Sequence, residues 1–132
     1  MREQGCYPVV LFSFGEGAML KIYGIRNCDT VRKALKWAEE QGLEFTFHDY
    51  RKDPLSPETV EKWLSAIDRS KLVNKRGTTY RNLDDAAKAQ LEGEGALPLL
   101  LEQPTLMKRP LFDTGRGYVV GFTDAERAVL LG

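Results

Sequence analysis

Sulfur and imidazole are scarce in this chain: two cysteines and one histidine in 132 residues. So few and so widely spaced, they cannot supply the four ligands of a structural zinc site, and a disulfide scaffold needs more thiols. That scarcity fits a reducing, cytoplasmic setting. Charge of one sign is also missing, because 19 Lys and Arg balance 19 Asp and Glu. No overall field draws the chain to phosphate polymers or anionic lipid, so neither direct nucleic-acid binding nor a membrane partner is expected. Long hydrophobic runs are absent too. The apolar stretch Val9 to Phe14, interrupted by Ser13, is shorter than a secretion-signal core. No internal repeat or low-complexity tract appears. What remains, 42% hydrophobic and 29% charged residues, is the balance of a soluble globular protein with length for one domain and its core.

The first eighteen residues differ from the rest, ending in the linker-like Gly15-Glu16-Gly17-Ala18. Residues 1–18 are expected to be an N-terminal extension or leader, with Met19 opening a domain over 19–132 and Cys6 outside the functional fold.

From Met19 onward the patterning is regular. Leu20-Lys21-Ile22-Tyr23 alternates as a half-buried strand, and Val31, Ala34, Leu35 and Ala38 then share a helical face that Gly42 ends. Glu44 to Tyr50 alternates again. Strand, helix and strand form a βαβ unit with parallel pairing. Ser56-Pro57-Glu58 starts a helix carrying Val60, Trp63, Leu64 and Ile67. Leu83 to Leu91 and Leu97 to Leu101 predict two more. Residues 109–113 and 118–122 flank a glycine-containing turn as an antiparallel hairpin, and Thr123 with Glu126 has capping-box spacing for a last helix. The expected architecture is α/β: a thioredoxin-like fold whose mixed four-stranded sheet carries a helical insertion.

Cys28 is the residue able to carry chemistry. It lies in the turn between the first strand and its helix, where backbone N–H groups and the positive helix end favour a negatively charged sulfur. The dipole is usually worth under about 1 kcal/mol, so a cation must assist. Arg32, four residues on, leans back along the helix and is expected to bring its guanidinium toward the sulfur, while Asp29 opposes it. Other cysteine mechanisms fit poorly. A phosphatase loop wants arginine where Ala34 stands, and His48, the base a hydrolase would need, reads as a strand residue on the polar face.

The run Tyr23 to Ala34, with Trp37, Glu39-Glu40-Gln41-Gly42, His48-Asp49-Tyr50, Asn74 to Tyr80 and Arg109-Pro110, resembles the arsenate reductase (ArsC) and Spx family, in particular its YffB-like branch. The likeness covers 19–132. It implies a thioredoxin-type fold, Cys28 as nucleophile with Arg32 as its helix-borne cationic partner, and Asn27, Arg76, Arg109 and Pro110 as residues binding substrate or glutathione, with Arg109 preceding a cis proline. It also implies glutathione as co-substrate, with no bound cofactor or metal, and glutaredoxin as a further partner.

Three departures from that pattern carry consequences. Arsenate reductases of this kind place an arginine where this chain has Asn74, two positions before Arg76, and another where Gly121 stands. Planar guanidinium groups stabilise an oxyanion transition state best, so the chain is expected to reduce arsenate poorly. Spx-type switches use Cys-x-x-Cys, and the second position here is Val31, which leaves a monothiol. The expected function is a glutathione-dependent thiol oxidoreductase. The alternatives are an Spx-like regulator binding the RNA polymerase α subunit, or an interaction module that no longer does chemistry.

Overall fold

The computed structural model describes residues 20–131; the expected leader, with Cys6, lies outside them. Its elements in chain order are β1 (Leu20–Gly24), α1 (Asp29–Glu40), β2 (Phe45–Asp49), α2 (Pro57–Ala66), α3 (Arg69–Leu72), α4 (Thr78–Arg81), α5 (Asp85–Glu92), α6 (Ala96–Glu102), a 3-10 turn (Pro104–Leu106), β3 (Leu111–Asp113), β4 (Tyr118–Val120) and α7 (Asp124–Leu131). Two compact units result. One comprises the residues up to Asp53 together with those from Arg109, and the other is the helical insertion Pro54–Lys108.

The first unit is built on a mixed four-stranded sheet of order β2-β1-β3-β4. β1 runs parallel to β2, with Leu20 beside Phe45, and antiparallel to β3, with Ile22 beside Phe112. The alternation of β1 explains its place: Leu20 and Ile22 are fully buried while Lys21 between them is exposed. Val31, Ala34, Leu35 and Ala38, at helical spacing, are the buried face of α1 and join Leu20, Ile22, Phe45, Phe112 and Leu130 in one core cluster. Each large aliphatic side chain so buried contributes about 1.5–3 kcal/mol, which makes this face the main anchor of α1.

Both ends of α1 follow from single residues. Gly42 takes the left-handed conformation, φ 70, and the N–H groups of Gly42 and Leu43 donate to the carbonyls of Glu39 and Ala38 at 3.0 Å, closing a Schellman motif. At the other end Gly24 admits a close approach, since a Cβ built there would stand 2.8 Å from Val31 Cγ2. The hairpin turns through Gly115, φ 85, with the Thr114 N–H donating to the Gly117 carbonyl at 3.0 Å. α7 opens as expected, the Glu126 carboxylate accepting from the Thr123 N–H at 2.6 Å. Hydrogen bonds from the Thr123 side chain and then its backbone hold that carboxyl below its usual range.

The helical insertion buries Val60, Trp63, Leu72, Leu91, Leu100 and Leu106. The Ser56 hydroxyl accepts from the Thr59 N–H at 3.2 Å to start α2, and Asp84 accepts from Ala87 at 2.8 Å to start α5. The sequence reading needs two corrections. α3 and α4, four residues each, have no counterpart among the expected helices, because one turn is too short for a 3.6-residue period to register. The hairpin strands are also shorter than expected: Arg109 and Pro110 precede β3, and Gly121, φ 99, follows β4.

The contact between Gly24 and Val31 sets a test. Val31 is fully buried and β-branched, so it has no spare rotamer to yield into. Gly24→Ala is expected to lower stability by about 1–3 kcal/mol, read as a reduced denaturant midpoint with unchanged slope.

Candidate active site

Cys28 is the N-cap of α1, with extended backbone at φ −132 and ψ 123, and its carbonyl accepts the Arg32 N–H at 2.9 Å. Its side chain makes no cap hydrogen bond. Cys28 is half-buried and packs on the core cluster of the sheet unit. This sulfur therefore stands at the positive end of α1 without being consumed as a cap.

Asp49, at the end of β2, fixes the loop leading into Cys28. Its Oδ2 accepts the Arg26 N–H at 3.2 Å and its Oδ1 accepts the Arg51 N–H at 3.0 Å, while the Tyr50 N–H donates to the Gly24 carbonyl at 3.0 Å. One carboxylate thus joins two loops 23 residues apart in sequence.

The Arg32 guanidinium has two partners of its own. It donates to the Asp29 carboxylate one turn back and, at 3.2 Å, to the Arg26 carbonyl. A carboxylate three residues away on the same helix face shares the charge that the spacing offers to the sulfur. Arg32 consequently braces the loop before Cys28.

Arg109 acts at Tyr50, which the sequence reading did not single out. Tyr50 is buried, 4% exposed. Burial pushes its hydroxyl up to about 12; the Arg109 guanidinium opposes this, first through its charge and then as a hydrogen-bond donor, whereas negative charge on Cys28 and Asp49 adds to the rise. Cys28, Asp49 and Arg109 are thereby within electrostatic reach of the Tyr50 hydroxyl. Pro110 follows Arg109 through a cis peptide bond and is buried, as the resemblance implied. Arg76 belongs to the helical insertion, exposed in a turn where its N–H donates to Asn74 Oδ1 at 3.2 Å.

Asn27 is exposed and lines a cleft of 360 Å³ together with Ile25, Arg26, Arg32, Asp49, Arg51 and Lys52. Arg26, Arg51 and Lys52 escaped the sequence reading. A charged run such as Asp49-Tyr50-Arg51-Lys52-Asp53 reads as a solvated turn, and only the pairing of β1 with β2 brings it beside Arg26.

A thioredoxin-like sheet with one cysteine at the start of its first helix defines a class of thiol proteins, and the comparisons make the assignment specific. The ArsC family model matches residues 23–129, and the chain belongs to the ArsC family. An uncharacterized protein of Haemophilus influenzae is 44% identical over 108 residues, 82% of this chain and 95% of its own length. A global transcriptional regulator, Spx 1 of Oceanobacillus iheyensis, is 26% identical over 82% of this chain and 83% of its own. Among solved structures, a YffB protein superposes with a TM-score of 0.79 at 36% identity, covering 86% of this chain and 100% of its own. An arsenate reductase (ArsC) related protein from Brucella melitensis gives 0.69 at 38% identity, covering 84% and 92%. Among the described residues, no helix is long and apolar enough to cross a membrane.

The raised Tyr50 value has a pH consequence. Its neutral form is favoured by the fold, so this contribution is complete below the unfolded value of 10.0 and is lost as pH climbs toward about 12. Wild type is expected to lose stability over that interval. Tyr50→Phe should flatten the loss, by at most about 2–3 kcal/mol, measured by urea unfolding at stepped alkaline pH.

Proposed function

We propose that the chain is a glutathione-dependent thiol oxidoreductase of the ArsC family, acting through Cys28 as a single nucleophile. The observation that carries this reading is a half-buried cysteine at the α1 N-cap whose side chain makes no cap hydrogen bond. In the exchange step the Cys28 thiolate attacks one sulfur of a disulfide along the S–S axis. A new S–S bond joins Sγ to that half, and the other half departs as a thiolate that takes a proton from solvent. A glutathione thiolate then attacks the sulfur bound to Sγ, the Sγ–S bond breaks, that half leaves as a disulfide with glutathione, and Cys28 takes up a proton as the thiol, with glutaredoxin as an alternative regenerating partner.

The chain's own residues divide the remaining work. Arg109 supplies a fixed positive charge where negative charge moves between sulfurs, and Pro110 sets the backbone beside it. Asn27 and Arg76 are further contacts for substrate or glutathione. Val31, fully buried in the core, occupies the position a second switch cysteine would take, which favours a monothiol cycle. The likeness to Spx regulators supports a second reading, binding to the RNA polymerase α subunit, for which the same buried valine removes the disulfide switch. A cytoplasmic location accords with reduced thiol chemistry.

Arsenate is a poor substrate in this reading, and Gly121 explains why the deficit resists simple repair. An arginine there would sit at φ 99, a left-handed conformation costing a side-chain-bearing residue roughly 1–2 kcal/mol. Gly121→Arg is expected to lower thermal stability and to leave arsenate turnover undetected in a coupled glutathione assay.

Mass spectrometry after exposure to oxidised glutathione tests the main reading. One glutathione adduct is expected on wild type and none on Cys28→Ser, with reversal by reduced glutathione. An unmodified wild type would leave the chain as an interaction module.

A further inference from the structure

We propose that the cleft formed by Arg26, Arg51 and Lys52 is a carboxylate-binding subsite that selects anionic disulfides for attack by Cys28. The proposal rests on the thiol oxidoreductase reading and names its co-substrate class: small peptide-like disulfides carrying carboxylates. Three observations converge on it.

The first is location. Asn27, the chain neighbour of Cys28, lines the cleft, so a ligand seated there lies beside the residue preceding the nucleophile. The second is size, since 360 Å³ falls in the range that holds a small organic ligand. The third is charge. Arg32 is matched by Asp29, and both oxygens of Asp49 are engaged by the backbone N–H groups of Arg26 and Arg51. Among the described residues, Arg26, Arg51 and Lys52 have no carboxylate at ion-pair distance, and all three are exposed. The Arg26 guanidinium lies over the Phe47 ring, 5.1 Å from its centroid, which orients the group without cancelling its charge. Three unpaired cations thus outnumber the one carboxylate of the lining outside the Arg32–Asp29 pair, on a protein that is neutral overall.

Such a local excess suits carboxylates. Guanidinium groups bind them in bidentate fashion, and a one-sign cleft raises the local concentration of anions and the rate of encounter. The effect is screened by salt, since the Debye length is about 8 Å at physiological ionic strength. Neutral and cationic disulfides gain nothing from it. The exchange itself is unchanged: the cleft holds the carboxylates while Cys28 Sγ forms its new S–S bond and the distal half leaves as a thiolate.

The test compares rates of Cys28 modification by oxidised glutathione, which is net anionic, and by hydroxyethyl disulfide, which is neutral, in the full chain. Wild type is expected to favour oxidised glutathione, and that preference is expected to shrink as potassium chloride is raised. Arg51→Glu with Lys52→Glu should lower the ratio of the two rates about tenfold, whereas Lys36→Glu on the exposed face of α1 should keep the wild-type ratio. A ratio that neither salt nor the double charge reversal moves would overturn the subsite while leaving the thiol chemistry standing. No adduct with either disulfide would overturn both. The salt series on wild type keeps the inference open to refutation should the double variant fail to fold.

Discussion

The geometry of the site hangs on one carboxylate. Asp49 ends β2 and accepts backbone N–H groups from Arg26 and Arg51, so the loop that delivers Cys28 to the head of α1 is tied to the strand beside it. A carboxylate with two backbone donors forms charge-assisted hydrogen bonds, stronger than neutral ones, and its position is itself fixed by the ladder in which Gly24 pairs with Asp49. The flanking Tyr50 N–H extends that ladder to the Gly24 carbonyl. Removing the carboxylate would leave two amide donors to find water and would let both loops relax, taking Cys28 and the cationic side chains with them. Asp49 is a positioning residue in this sense: it holds the backbone from which chemistry-bearing groups project.

Around that anchor, two further arginines act at short range. Arg32 pairs with Asp29 and reaches the Arg26 carbonyl, which stiffens the cysteine loop from its far side. Arg109 works on the interior side, where Tyr50 is sealed from water and burial outweighs the guanidinium's pull on its hydroxyl. The sulfur lies between a braced loop and a buried phenol. Its environment is set by the helix end and by fixed charges.

Much of this was legible in the sequence, and the parts that were not have identifiable physical reasons. The βαβ unit, α2, α5, α6, the hairpin and α7 could be read because each presents a period or a cap: Val31, Ala34, Leu35 and Ala38 for α1, Ser56 for α2, Thr123 with Glu126 for α7. α3 and α4 were invisible, being single turns without a repeat. Cys28 was found from its place at a strand-to-helix turn. Helical spacing places Arg32 within range of Cys28, and the same spacing places it beside Asp29, whose carboxylate accepts from its guanidinium. Tyr50, Arg51 and Lys52 needed the fold, since their meaning comes from pairing across the sheet with the segment that holds Arg26.

The close fit of Gly24 against Val31 joins the thiol count at the head of α1 to its packing. A cysteine at residue 31 would turn the head of α1 into a dithiol, yet a thiol side chain has one branch where valine has two. It would leave a methyl-sized gap against the glycine at the end of β1. Residues 24 and 31 therefore share one volume, and the number of sulfurs the head of α1 can carry is set partly by the strand that ends opposite it.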